Sequence, residues 1–92
     1  MFNLFKTTDQ KLEELGFVKM RENSHGALYY KEHTTYTQAV SLLRKAYGWS
    51  IMQSYDIHLF DSKGVGNTCV GLTYPEMKLF LKKMKELKLH KL

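Results

Sequence analysis

The sequence predicts an α+β fold: a short N-terminal helix, a four-stranded antiparallel sheet made of two hairpins, and a C-terminal amphipathic helix packed on that sheet. Three observations predict it. Apolar residues recur at helical spacing after a capping sequence at Thr73, and aromatic, strand-favouring runs separated by turn residues fill the middle of the chain. Finally, 92 residues with 43% hydrophobic and 25% charged side chains suffice for one core. Residues 1–92 are therefore read as a single domain, too short for a Rossmann, barrel or doubly wound enzyme.

The first helix is expected at about 8–15. Thr7 precedes Gln10 at capping-box spacing, Leu12 and Leu15 share a face, and Gly16 supplies a left-handed stop. Phe17 then begins an extended run in which Val18 and Met20 alternate with Lys19 and Arg21. Glu22-Asn23-Ser24-His25-Gly26 reads as a turn, and Ala27-Leu28-Tyr29-Tyr30-Lys31 as the returning strand.

Residues 36–47 fit two periods. Tyr36, Ala39, Val40, Leu43 and Tyr47 make a helical stripe ended by Gly48, whereas Tyr36, Gln38, Val40, Leu42 and Arg44 alternate. The strand reading is preferred, because the run beginning at Ser50 otherwise lacks a neighbour. Segments 36–46 and 49–58 then form the second hairpin.

Asp61-Ser62-Lys63-Gly64-Val65-Gly66-Asn67 is a connector. Its glycines match neither nucleotide fingerprint, so they are read as turn formers rather than a phosphate cradle. Thr73-Tyr74-Pro75-Glu76 opens the last helix, about 73–88, with a capping box and a proline in the first turn. Met77, Phe80, Leu81, Met84 and Leu87 form its expected core stripe, with Lys78, Lys82 and Lys85 opposite. Both helices are expected on one face of the sheet.

The net charge is +5, and residues 73–92 carry six lysines against Glu76 and Glu86. A basic helix suits either a solvated face or a polyanion. The helix–strands–helix order with that basic end looks like the double-stranded-RNA-binding domain in outline. It makes nucleic acid the alternative partner, through Lys78, Lys82, Lys83 and Lys85.

The single cysteine, Cys69, excludes an internal disulfide, and it is read as a small buried side chain. His33, His58, His90 and Cys69 are too irregularly spaced for a metal set, so neither metal nor cofactor is expected. No apolar run reaches the ~18 residues of a membrane span. The start of the chain lacks a basic, then apolar, leader. A cytoplasmic location without membrane association is the expectation.

Leu12 to Arg21, followed by Ser24-His25, resembles the start of HicA-type toxins, small RNA-cleaving proteins of toxin–antitoxin pairs. That resemblance implies a catalytic role for His25, with Lys19 or Arg21 steadying a phosphate. Asn23-Ser24-His25-Gly26 equally meets the ordinary demands of a polar turn. A second resemblance runs through Leu12-Glu13-Glu14-Leu15-Gly16-Phe17, Gln53-Ser54-Tyr55-Asp56 and Val70-Gly71-Leu72-Thr73. It is to small uncharacterised proteins of phages and prophages of Gram-positive bacteria. It implies a compact α+β accessory protein and carries no functional residue across.

No complete catalytic constellation is present. The leading expectation is a non-enzymatic binding protein that meets a protein partner on the sheet face around Tyr29, Tyr30 and Tyr55. A two-fold homodimer, made by strand pairing or by packing the tyrosine face, is expected if the uncharged run Ile51–Tyr55 lies on a sheet edge.

Overall fold

The computed structural model describes residues 5–44, 50–58 and 69–87. Helix α1 (Thr8–Glu14) precedes strands β1 (Phe17–Asn23), β2 (Gly26–Glu32), β3 (Thr37–Arg44) and β4 (Ser50–Asp56), and helix α2 (Tyr74–Glu86) follows them. Each strand pairs antiparallel with the next, in the order β1-β2-β3-β4. The predicted α+β architecture is thus the observed one. The predicted connector 61–67 lies outside the described residues.

Local chemistry explains most boundaries. Thr7 and Thr73 each accept a bond from the third helical N–H, while Gln10 and Glu76 bond back to the cap N–H, so both predicted capping boxes form. Gly16, at φ +99°, ends α1 in the left-handed region. Gly26 is needed for a different reason: a Cβ there would stand 1.8 Å from the carbonyl oxygen of Leu42. The β1–β2 turn therefore narrows to Ser24 and His25, shorter than the predicted one.

Residues 37–44 form a strand rather than a helix. Thr37 to Leu43 pair with β2 on one side, and Gln38 to Arg44 pair with β4 on the other. Two-sided pairing satisfies the backbone of a central strand and leaves both its faces buried, as Ala39, Val40, Ser41 and Leu42 are.

Leu12, Phe17, Ala27, Tyr29, Val40, Leu42, Phe80 and Met84 make the core between the sheet and the helices. The Phe80 ring meets Phe17 at 5.0 Å and Tyr29 at 5.3 Å, edge-on in both cases. The buried stripe of α2 is rotated from the expected one. It contains Glu76, Phe80, Lys83 and Met84, whereas Met77 and Leu81 are 42% and 50% exposed. Carboxylates on α1 and β1 draw Lys83 inward, and Lys31 on β2 does the same to Glu76.

Candidate functional site

Strand alternation sends Ala27, Tyr29, Val40 and Leu42 toward the helices and Leu28, Tyr30, Leu43 and Tyr55 to the opposite, outer face. Val18 and Met20 on β1 belong to that outer face and are 56% and 52% exposed. Tyr30 and Tyr55 are half-buried there, and the hydroxyls of Tyr55 and Ser41 lie 3.1 Å apart. Among the described residues, neither helix lies on this side.

Tyr29 corrects the expected surface. Adjacent residues on a regular strand point to opposite faces, so Tyr29 and Tyr30 cannot share one. Tyr29 is 1% exposed in the core and donates its hydroxyl to Asp9 at 2.5 Å. The available aromatic surface is Tyr30 and Tyr55, and the same face carries Val18, Met20 and, further along β3, Leu43.

Lys19 and Arg21 are separated by a bulge. Period-two alternation would place both on one face, but the register shifts between them: Lys19 pairs with Tyr29 and Arg21 with Leu28. Arg21 is thereby turned to the outer face. It lines a hollow of about 370 Å³ together with Asn23, His25, Leu28, Ser41 and Leu43. His25 is exposed at the tight turn, its N–H held by the Asn23 side chain at 2.8 Å and its carbonyl by the Arg44 N–H at 2.9 Å. Lys19 points to the helix side and has no part in this hollow.

Lys19 instead joins a polar cluster at the junction of α1, β1 and α2. Its ammonium lies 3.0 Å from both Asp9 and Glu22, while Lys83 lies 3.3 Å from Asp9 and 3.1 Å from Glu22. Burial pushes the Asp9 carboxyl up. The Tyr29 hydroxyl and the two ammonium groups outweigh it and hold the group below its ordinary value. Hydrogen bonds from Lys19 and then Lys83 lower Glu22, and the same contacts with Glu22 and Asp9 raise Lys19. Burial, then the bond to Asp9, pushes the Tyr29 phenol far up, so its hydroxyl stays protonated.

These assignments leave Lys83 as a structural group. Lys78, Lys82 and Lys85 stay exposed on α2, with Lys78 lying 5.3 Å from the Tyr74 ring centroid. They belong to the helix side of the sheet, opposite the His25 hollow, so the two predicted nucleic-acid features do not form one continuous surface. Cys69 is exposed, contrary to the expectation of burial, because it bridges to Tyr55 beside the sheet instead of entering the core. Among the described residues no three His, Cys, Asp or Glu side chains converge on a metal position, and no helix is long and apolar enough to cross a membrane.

The sequence reading missed Val18, Met20 and Leu43 as surface-forming residues. Val18, Met20 and Tyr30 could have been grouped by alternation through the first hairpin, whereas Leu43 enters only through β3 pairing. Comparison with protein-family models, with curated proteins and with solved structures finds no match to this chain.

Proposed function

We propose that this chain is a small non-enzymatic accessory protein that docks a protein partner on the outer face of its sheet. One observation carries the reading: Val18, Met20 and Leu43 are exposed on the sheet face that also bears Tyr30 and Tyr55, a side that both helices leave uncovered. Exposed apolar side chains gathered on one face mark interaction surfaces, and tyrosine adds contact area at low entropic cost.

A photo-crosslinking residue placed at Tyr30, with Leu81 as the control position, tests the surface. The protein trapped at Tyr30 is identified, purified and titrated against wild type, Met20→Ser and Tyr30→Ala. Each substitution is expected to weaken binding at least ~tenfold while the variant remains folded, as shown by retained circular dichroism and a cooperative melt above the assay temperature. Unchanged affinity in both variants, or adducts confined to Leu81, refutes docking on the outer face.

The shared hollow of His25 and Arg21 favours a second reading, cleavage of RNA. An imidazole can transfer a proton, and a guanidinium can hold a phosphodiester. Purified protein should then degrade RNA and His25→Ala should not. Equal activity of the two preparations, or none in the wild type, removes this reading.

A further inference from the structure

We infer that β4 pairs antiparallel with β4 of a second copy, about a two-fold axis at Ile51, giving a continuous eight-stranded sheet. Among the described strands β1 and β4 are the two edges of the sheet, and they are built differently. β1 carries Lys19, Arg21, Glu22 and a bulge, all of which obstruct edge-to-edge pairing. β4 has no charged side chain from Ser50 to Tyr55 and pairs with β3 without a register shift. Only its far end is occupied among the described residues, by the Tyr55–Cys69 bridge and the Val70 N–H on the Ser54 carbonyl at 3.0 Å.

That last bond also sets the register. In an antiparallel ladder the N–H and C=O of one residue point to the same side, and the side alternates along the strand. Because Ser54 points away from β3, Ser50 and Met52 do too. A two-fold pairing about Ile51 sets Ser50 of each copy against Met52 of the other, using the two outward positions that no described residue occupies and leaving the Ser54 bond intact. A pairing centred on Met52 would oppose Ser50 to the occupied Ser54.

The apolar surroundings agree. A hollow of about 390 Å³ lies along this edge, lined by Met52, Cys69, Val70, Leu72 and Met77 among others. An added strand would lie across its open side and bring a second Met52 beside the first. This edge is distinct from the outer face proposed above as the docking surface, so either proposal can fail alone.

In the proposed register the two Ile51 residues form a non-hydrogen-bonded pair with Cα atoms about 4.5 Å apart, suited to a disulfide. In a Cys69→Ser background, Ile51→Cys should cross-link under mild oxidation at least ~tenfold faster than Gln53→Cys, whose two copies would stand several residues apart. Sedimentation equilibrium from ~5 to ~200 µM should give the mass of two chains for wild type.

Met52→Pro should give one chain with its circular dichroism retained, because the lost N–H lies outside the β3 ladder. If that variant fails to fold, Ile51→Lys, which sets two ammonium groups face to face at the axis, should give the monomer. A monomeric wild type, equal cross-linking at positions 51 and 53, or a dimer that survives Ile51→Lys overturns the inference.

Discussion

Replacing Asp9 by alanine tests whether the polar cluster holds α1 and α2 to the sheet. Asp9 accepts the Tyr29 hydroxyl at 2.5 Å and lies 3.0 Å from Lys19 and 3.3 Å from Lys83. Tyr29 is 1% exposed, so losing its acceptor leaves a buried hydroxyl without that partner, a cost of about 1–3 kcal/mol. The two lysines retain Glu22, and the Lys19 side chain is 39% exposed, so the lost ion pairs add only about 1 kcal/mol. The sum is about 2–4 kcal/mol, and for a domain of this size each kcal/mol lowers the melting temperature by about 4–8 °C. Tyr29→Phe removes the same bond from the other side, so Asp9→Ala in that background should cost about 1 kcal/mol. Urea denaturation of the four proteins in the cycle gives the coupling directly, expected at about 1–3 kcal/mol. Additivity within about 0.5 kcal/mol, or a single-variant loss below about 1 kcal/mol, would show that the cluster behaves as an ordinary surface network and refute the reasoning.

Further outcomes follow from the same geometry. Asp9, Glu22 and Glu76 all have lowered folded values, so their stabilisation is complete above the unfolded carboxylate range near pH ~4 and is lost as pH falls through the folded values. The contributions of Lys19 and Tyr29, both raised, decline once pH exceeds ~10. A melting-temperature profile should therefore fall at both extremes, with a shallower acid limb in Asp9→Ala; an unchanged limb in that variant contradicts the assignment. Gly26→Ala should cost about 3 kcal/mol or more in chemical denaturation, because the added methyl meets the Leu42 backbone, and a loss under ~1 kcal/mol would show that the hairpin yields. Tyr29→Ala should cost about 3–5 kcal/mol while the half-buried Tyr30→Ala costs under about 2 kcal/mol, and equal losses would contradict the assigned faces.

Signals carried by neighbouring residues were legible in the sequence. Thr7 with Gln10 and Thr73 with Glu76 announce both helix starts, since a capping box is completed within one turn. Gly16 announces the end of α1, and the aromatic runs around Tyr30 and Tyr55 announce strands. The face of each side chain was less legible. One bulge between Lys19 and Arg21 separates a structural lysine from an arginine on the His25 hollow, and the local alternation gives no sign of it. The period of residues 36–47 was ambiguous because Tyr36 and Val40 fit either period until two neighbouring strands claim the backbone.

The sequence by itself determined the type of every element but β3, the two helix caps, a turn within Glu22–Gly26 and the basic character of α2, because each depends on residues within a few positions of one another. Tertiary structure alone decided that Tyr29 is core and Tyr30 surface, that Lys83 is buried while Lys82 is not, and that Ile51–Tyr55 forms an edge. The Asp9–Lys83 contact spans 74 residues. Its partners meet only after the sheet and both helices have packed, so no local periodicity encodes it. The buried face of α2 is likewise selected by the carboxylates and aromatic rings it meets across that interface.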